Sequence, residues 1–432
     1  MTISYLITNI HLSSSSFDGW KPNSSVLIRG GLIEKINPES TDLDQDVIRI
    51  EGNGQYLLPG LIEMHGHFYG RANVEMRSQH KGYCPLYLAG GITTVRTPGE
   101  FEPEVTFAWK QSIERGQTVG PRIMTGGWYF DQAPSIIRWF KPSESIEAIR
   151  DCFEDRDKIS DFFKVYSSMP TDWIGEVCRL GHAKGKKVYG HLGLSTTIGA
   201  IEAGLDGVEH GFFTIQEFHS KASPSVDSEG LESLDMNSSI VRQVENVIVQ
   251  HRTAVTPTMI TFMLNGSAYT DWLDRIDAWK YLAPEAVTKQ LEIRKAWDED
   301  QKSIDQQERL MDKQRKFVGD LYRQGARIFC GTDPSYPMIL PGKAIVYEAA
   351  NLVDCGIPNS VVLRALTQEA ADELLIGEVT GSISEGKQAD LVLLEQDPLS
   401  DINNLETVRL VWKSGRMHDP EDLRRSAIGQ IA

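Results

Sequence analysis

Histidine, lysine and aspartate side chains stand at the ends of short apolar runs in the middle of the chain. The first run, LLPGLIEMHGH, ends with His65 and His67. Residues two apart in a strand point to the same side, so both imidazoles can bind one metal ion. Later runs add four more candidate ligands, which are Lys164, His191, His210 and Asp333. The six residues together predict a centre for divalent metal ions.

These ligands need a scaffold that brings distant strand ends together. Eight short apolar runs alternate with helical stretches, which predicts βα units and a parallel sheet. The runs are residues 57–67, 91–98, 120–127, 162–168, 186–193, 207–213, 254–261 and 326–333. Eight is the strand number of a TIM (β/α)8 barrel, whose catalytic groups lie at the C-terminal strand ends. We therefore expect an α/β fold built on a TIM barrel.

Both ends of the chain have a different, β-rich pattern. Residues 1–56 contain SYLITNIHL, SSVLIRGGLIEKI and DVIRI, and residues 378–432 contain ADLVLLEQD and VRLVWKSGR. Each end is too small to form a core alone. We expect the two ends to pair into a small β-sandwich domain beside a TIM barrel of residues 57–377.

Residues 271–323 interrupt the alternation with a long, highly charged segment. Trp297, Ile304, Met311 and Val318 recur at every seventh position, which predicts one or two amphipathic helices. One interpretation is a solvated helix that packs on the barrel. The other is a lid or dimer element, because the segment joins the seventh and eighth runs on the active-site face.

Two of the candidate ligands have competing interpretations. An ammonium group has no lone pair for a metal, so Lys164 could simply be a salt-bridged lysine. A carboxylated lysine, formed with carbon dioxide, would instead be an anionic group able to bridge two cations, and the apolar run FFKVY disfavours an unpaired charge. Asp333 could cap the following helix rather than bind metal.

Composition excludes several classes of function. The chain has 432 residues, with 44 Lys and Arg against 60 Asp and Glu, so its net charge is −16. This balance argues against nucleic acid or an anionic membrane as partner, and no apolar run is long enough to span a bilayer. The start lacks a signal-peptide pattern, and five scattered cysteines are typical of a reduced, cytoplasmic protein. We expect a small-molecule substrate, with homo-oligomer formation left open.

The runs resemble the amidohydrolase superfamily, in the branch of imidazolonepropionase-like proteins and carboxylated-lysine prolidases, or Xaa-dipeptidases. The similar segments extend from about residue 57 to 415 and are PGLIEMHGH, GITTVR, GPRIMTGG, FFKVY, VYGHLG, GVEHG, AVTPT, ARIFCGTD and GSISEGKQADLVLLEQDPL. The HxH pair combined with the ADLVLL tail is the most specific part of this resemblance.

The resemblance implies a role for each candidate ligand. His65 and His67 would bind a more buried metal ion, and His191 and His210 a more exposed one. Carboxylated Lys164 would bridge the two ions, while Asp333 would bind the first ion and transfer protons. Imidazole and carboxylate ligands suit Zn best, with Mn, Co and Fe as alternatives.

The chain departs from the family pattern in its substrate-facing loops. Thr97 stands where the family usually has an acid, and the stretches GGWYFDQAPSIIRWF and PSYPMILPGK replace the common versions. We expect substrate contacts from Tyr166, Arg96, Trp128 and Tyr336, with Tyr129 and Arg138 in the same loops. For Arg96 a structural ion pair is the competing interpretation, and for the aromatic residues it is plain packing.

These features predict a binuclear metal-dependent hydrolase that cleaves an amide bond through a metal-activated hydroxide. Its substrate would be an N-acyl amino acid or an Xaa-amino-acid dipeptide. Alternatives on the same site are hydrolysis of a cyclic amide, a lactone or a phosphotriester, or a metal-binding scaffold without catalysis. A deaminase would favour a mononuclear site, against which Lys164 argues.

Overall fold

The computed structural model describes residues 3–40, 46–72, 75–133, 142–221, 223, 225–263, 274–298, 301–334 and 339–431. Its strands are β1 (Tyr5–Ser13), β2 (Trp20–Arg29), β3 (Leu32–Ile36), β4 (Ile48–Pro59), β5 (Leu61–Glu63), β6 (Tyr69–Ala72), β7 (Glu75–Ser78), β8 (Ile92–Thr97), β9 (Arg122–Thr125), β10 (Phe163–Val165), β11 (Val188–Gly190), β12 (Gly207–Glu209), β13 (Ala254–Thr256), β14 (Arg327–Ile328), β15 (Leu391–Leu394), β16 (Val408–Lys413) and β17 (Arg416–His418).

Helices separate most of the central strands. They are α1 (His80–Ala89), α2 (Pro103–Glu114), α3 (Ile146–Asp157), α4 (Thr171–Ala183), α5 (Thr197–Glu202), α6 (Ser228–Ser233), α7 (Ser239–Gln250), α8 (Pro284–Asp298), α9 (Gln301–Arg323), α10 (Ala344–Asp354), α11 (Asn359–Ala365), α12 (Gln368–Glu373) and α13 (Pro420–Ala427). Side-chain hydrogen bonds define where some helices begin. At the start of α3, for example, the Ser145 side chain accepts a hydrogen bond from the Ala148 N–H. Within the described chain, no helix has the length and apolar character needed to cross a bilayer.

Strands from both chain ends pair in one seven-stranded sheet. Its order is β17-β16-β15-β4-β1-β2-β3, so C-terminal strands join N-terminal ones where β15 pairs with β4. Ile7, Ile28, Leu57, Leu393 and Trp412 are fully buried in one core cluster of this sheet. The two ends therefore share a hydrophobic core, while the domain limits set above remain predictions.

Eight parallel strands occupy the eight predicted runs, but they form two separate sheets. One has the order β5-β8-β9 and the other β10-β11-β12-β13-β14. Backbone hydrogen bonds link the two sheets at both seams, from the Asp161 N–H to the Thr125 carbonyl at 2.7 Å and from Met64 to Cys330 at 3.0 Å. The mixed α/β architecture is confirmed, whereas the strands do not pair as one continuous closed sheet.

The segment after β9 accounts for the interruption between the two sheets. The Phe130 N–H donates to the Lys164 carbonyl at 2.8 Å, and the Tyr166 N–H donates back to the Phe130 carbonyl at 2.8 Å. Backbone groups of β10 are therefore already hydrogen-bonded to this segment. A direct pairing of β9 with β10 would need the same groups.

The charged insert forms the two helices α8 and α9. Met311 and Val318 of α9 are buried. Two hydrogen bonds also attach α9 to neighbouring segments: the Lys313 ammonium donates to the Leu234 carbonyl at 2.7 Å, and the Gln314 amide donates to the Pro257 carbonyl at 3.1 Å. Trp297 lies outside the described side chains. The predicted helices are thus present, and α9 packs on the parallel strands close to β13.

The shared core of the seven-stranded sheet gives a stability prediction. Trp412 is fully buried in the C-terminal strand β16. Trp412→Ala removes a large side chain from a core made by both chain ends, so we expect a loss of about 3–5 kcal/mol in the free energy of unfolding. Urea unfolding monitored by circular dichroism measures it, with Trp412→Phe as the conservative control. Unchanged stability in Trp412→Ala would show that the two ends do not depend on this core.

Candidate metal centre

The structure brings all six predicted ligands to one cavity. His65 and His67 follow β5, Lys164 lies in β10, and His191, His210 and Asp333 follow β11, β12 and β14. Five of the six side chains are buried, and His191 is partly exposed. They line a cavity of about 240 Å³ at the C-terminal ends of the parallel strands. Residues far apart in the sequence thus meet because parallel strands end at the same face.

Hydrogen bonds at Nδ1 orient the two histidines of the HxH pair. The His65 Nδ1–H donates to the Glu209 carboxylate at 2.6 Å, and the His67 Nδ1–H donates to the Gly99 carbonyl at 3.0 Å. Both Nε2 atoms face Asp333 Oδ1, at 3.9 Å from His65 and 3.2 Å from His67. Such partners fix ring orientation and tautomer in metal sites.

Lys164 is the most isolated polar group of the cavity. It is 1% exposed, and its Nζ has no hydrogen-bond partner among the described residues; the Glu209 carboxylate is 3.9 Å away. Burial, together with the nearby Arg96, lowers the pKa of the Lys164 amine to about 8. A neutral amine is the form that reacts with carbon dioxide, so the surroundings of Lys164 fit a carboxylated lysine.

His191 and His210 form the second pair of imidazoles. Their ring centroids are 4.6 Å apart, and His191 Nδ1 has no partner in the described part of the chain. Burial lowers the pKa of His191 to about 3 and that of His210 well below its usual range, so both rings are neutral, as ligands must be. One ligand atom each from His65, His210 and Asp333 lie within 4.8 Å of one another.

The donors therefore fit divalent cations. Asp333 and Glu100 surround His67 with negative charge, and despite burial their hydrogen bonds raise its pKa to about 9. This side of the cavity accordingly favours positive charge. Four imidazoles, a carboxylate and an unpartnered lysine amine together match what a carboxylate-bridged metal pair requires.

The backbone is strained at two of the ligands. His210 has φ 61° and Asp333 has φ 50°. Both values lie in the left-handed backbone region, which residues other than glycine rarely adopt. The Asp333 N–H donates to the His65 carbonyl at 2.7 Å, and Glu63 accepts from the His65 and Thr332 N–H groups at 3.0 and 2.9 Å. These bonds hold the strained turn, a feature common at functional sites.

A buried ion pair lies beneath the ligands. The Arg96 guanidinium donates to the Glu209 carboxylate at 2.6 Å and lies over the Tyr189 ring, with its carbon 4.2 Å from the centroid. Arg96 does not line the cavity, so the structure places it in the ion pair rather than at a substrate. Glu209 was missed by the sequence analysis, although an acid in the buried run GVEHG is a signal that it has a cationic partner.

Of the other residues predicted to contact substrate, some line the cavity and others do not. Tyr166 lines the cavity, and its ring lies 4.5 Å from that of His191. Trp128 lies outside the cavity lining, and its indole N–H donates to Glu104 at 2.9 Å. Tyr336 and Arg138 fall outside the described residues. Tyr129, which was expected in the same loops, also lines the cavity, and so does Tyr69, which the sequence analysis missed; their hydroxyls meet at 3.2 Å.

Glu100 supplies the carboxylate that Thr97 lacks. Glu100 is buried. Its carboxylate accepts one hydrogen bond from the Thr97 hydroxyl and another from the Phe68 N–H, the latter at 3.0 Å. One of its oxygens lies 3.7 Å from His67 Nδ1. The acid beside the HxH pair is thus present, three residues later in the chain.

Comparison with known proteins agrees with this geometry. The model of the Amidohydrolase family matches residues 56–417. A dihydroorotase of Carboxydothermus hydrogenoformans is 35% identical over 115 residues, which are 26% of this chain and 25% of that protein. An imidazolonepropionase of Pseudoalteromonas atlantica is 32% identical over 77 residues, 17% of this chain and 19% of that protein. The chain thus aligns with only a quarter or less of these curated relatives.

A solved structure extends the likeness to nearly the whole chain. The crystal structure of a Xaa-Pro dipeptidase with bound methionine in the active site has a TM-score of 0.70 at 20% identity. The match covers 96% of this chain and 100% of that one, and at this identity it shows a common fold. The superfamily predicted from the sequence is confirmed, and these proteins fit the predicted branch.

The Glu209 contacts generate a prediction about metal affinity. Glu209→Gln keeps the shape but removes the anionic acceptor of His65 and the partner of Arg96, so we expect metal affinity to fall about 10–100-fold. Competition with a chromogenic chelator measures it. The matched control is Glu202→Gln, an exposed position in α5, which should bind metal as the wild type does. Equal affinities in the two variants would contradict a positioning role for Glu209.

Proposed function

The chain belongs to the amidohydrolase family, whose members are hydrolases that act on carbon–nitrogen bonds, and we propose that it cleaves an amide bond at a binuclear metal centre. The substrate class is an N-acyl amino acid or an Xaa-amino-acid dipeptide. One observation carries the proposal: six side chains from five strands converge on one cavity, with the Nε2 atoms of the HxH pair directed at Asp333.

The residues divide between two metal positions. We assign the more buried ion to His65, His67 and Asp333, and the more exposed ion to His191 and His210. Carboxylated Lys164 would hold both ions, and Zn suits the donor set best. Divalent ions at these positions would lower the pKa of a water molecule and polarise the scissile carbonyl.

Asp333 is the proposed proton-transfer group. Although burial raises it, the hydrogen bond with His67 and the nearby His65 and His210 hold the pKa of Asp333 well below its usual range. The carboxylate is therefore ionised and can accept the proton of the attacking water. It then donates this proton to the leaving amine, whose departure completes the hydrolysis.

The cavity wall supports a small, neutral acyl or side-chain group. Tyr69, Tyr129, Tyr166 and Phe262 line it with aromatic surface, and its volume of about 240 Å³ suits a compact substrate. We propose that the two parallel sheets make up the TIM barrel and the seven-stranded sheet the β-sandwich domain of this family. The five unpaired cysteines support a cytoplasmic location.

Turnover by metal-loaded protein tests the proposal. A library of dipeptides and N-acyl amino acids should release free amino acids, with the His67→Ala protein as the inactive control. Cyclic amides, lactones and phosphotriesters belong in the same screen. Turnover of lactones or phosphotriesters alone would replace the proposed bond, and no turnover of any class would favour a scaffold.

Metal content tests the bridging lysine. Wild-type protein purified without chelator should hold close to two metal ions per chain, and Lys164→Ala should lose the binuclear site. Added acetate or propionate should restore part of it by supplying the missing carboxylate oxygens. Elemental analysis, with carbon-13 bicarbonate NMR for the carbamate, measures both effects. The exposed Lys158→Ala is the control, and a wild-type content of one ion would contradict the bridge.

Asp333→Asn tests proton transfer. The variant keeps the size and one acceptor oxygen but removes the base, so we expect kcat to fall by about 10²–10⁴-fold. The remaining ligands should retain much of the metal, which is measured on the same preparation. Asp354→Asn, at the exposed end of α10, is the control. A kcat near the wild-type value would return Asp333 to a helix-capping role, because Asn caps as well as Asp.

A further inference from the structure

A second and larger cavity, of about 760 Å³, lies between the seven-stranded sheet and the barrel strands. Its walls come from the segment between α2 and β9, from the β2–β3 turn at Gly31 and from the β16–β17 turn at Ser414 and Gly415. Arg122, the first residue of β9, also lines it. The metal ligands follow the C-terminal strand ends, so the two cavities lie at opposite ends of the parallel strands.

Positive charge is in excess around this cavity. Four cations line it, and two carboxylates lie in or beneath its walls: Arg115, Arg122, Lys413 and Arg416 against Glu114 and Asp390. Two positive charges therefore remain uncompensated there, in a chain whose net charge is −16. The surface charge of the whole molecule does not explain such a cluster.

Arg416 is an exposed cation of this cavity that makes no ion pair within the described chain. The buried Asp390 carboxylate serves two other cations, because the Lys413 ammonium donates to it at 2.9 Å and the Arg122 Nη2 lies 3.4 Å from it. Arg122 Nη2 also donates to the Gln388 side-chain oxygen. The Arg416 guanidinium is therefore available to an anion, while Arg122 adds positive charge to the cavity wall.

The titration of a neighbour indicates the same positive potential. His418 lines the cavity, and burial together with the charges of Arg416 and Lys413 lowers its pKa to about 4. Burial and Arg122 also lower the pKa of Lys413, although Asp390 opposes the shift. Burial disfavours charge of either sign, but the contributions of Arg416 and Lys413 to the His418 shift have the sign of a positive potential, which attracts an anion.

We propose that this cavity is a binding site for a small organic anion with at least two negative charges. The exposed guanidinium groups of Arg416 and Arg115 bind the charged groups, Arg122 adds positive charge, and Ile3, Tyr5 and Ile113 provide apolar contact for the carbon skeleton. Ligand-binding cavities of this size commonly combine apolar walls with a few polar groups. Because the site joins the terminal sheet to the barrel strands, bound ligand stabilises the native arrangement of both.

Binding of 1,5-naphthalenedisulfonate tests the proposal. Its sulfonates are permanently charged and are poor metal ligands, so the metal centre does not compete for the probe. We expect saturable binding at one site per chain with Kd below about 1 mM, and a concentration-dependent rise in Tm. Affinity should fall with added salt, and the uncharged 1,5-naphthalenediol should not bind.

Two arginine variants locate the site. Arg416→Gln removes an exposed guanidinium from the cavity wall and should weaken binding about tenfold or more. Arg179→Gln removes an exposed guanidinium of α4, far from this cavity, and should bind as the wild type does. Absence of saturable binding, or equal affinity in Arg416→Gln and the wild type, would overturn the proposal.

The chemical class of the natural ligand follows from a second comparison. Binding of 1-naphthyl phosphate and of 1,5-naphthalenedicarboxylate is measured on the same wild-type protein. Tighter binding of the phosphate supports a phosphate ester, and tighter binding of the dicarboxylate supports a dicarboxylic acid. Failure of both to bind would contradict a site for biological anions.

Discussion

Charged groups buried among short strands need a partner of opposite charge nearby. Beneath the candidate metal centre, the ion pair between Arg96 and Glu209 provides this compensation. Both side chains are fully buried, where an unpaired charge would cost on the order of several kcal/mol. Glu209 also accepts the His65 Nδ1–H and lies near the Lys164 amine. Thus a single carboxylate sets the histidine tautomer and gives Lys164 its nearest negative charge.

The terminal sheet contributes to the same geometry through the backbone. Strand β4 of that sheet runs into β5 with only Gly60 between them, and the Gly60 N–H donates to the Asp390 carbonyl at 2.8 Å. The HxH pair begins two residues beyond β5. The position of His65 therefore depends on the pairing of both chain ends as well as on the barrel strands, and Glu63 joins the first strand to the eighth at Thr332.

The convergence of the six candidate ligands on one cavity could be predicted from sequence because each stands near the end of a short apolar run, and parallel strands have one common C-terminal face. His65, His67, Lys164, His191, His210 and Asp333 were all found by this rule. It could not find Glu209 and Glu100, which act through other ligands and are recognisable only once their partners are known. Arg96 was assigned to substrate because a sequence does not show which charge lies across the bundle.

Loop geometry was predicted least well. The segment after β9 forms backbone hydrogen bonds with β10, and the parallel strands therefore remain in two sheets. The pattern of apolar residues in the sequence does not predict this pairing. Tyr69 belongs to a short hairpin, β6–β7, whose place over the cavity depends on the hydroxyl contact with Tyr129. Side chains at strand ends follow from local pattern, whereas those in long connections depend on contacts between distant loops.

Anomalous diffraction from crystals of the zinc-loaded protein tests the central claim most directly. Data collected on both sides of the zinc absorption edge locate the ions without reference to activity. The account predicts two peaks about 3.5–4 Å apart in the cavity at the strand ends, one beside His65, His67 and Asp333 and one beside His191 and His210, with density for a carboxyl group on Lys164 between them. A single peak, or peaks away from these residues, would contradict it.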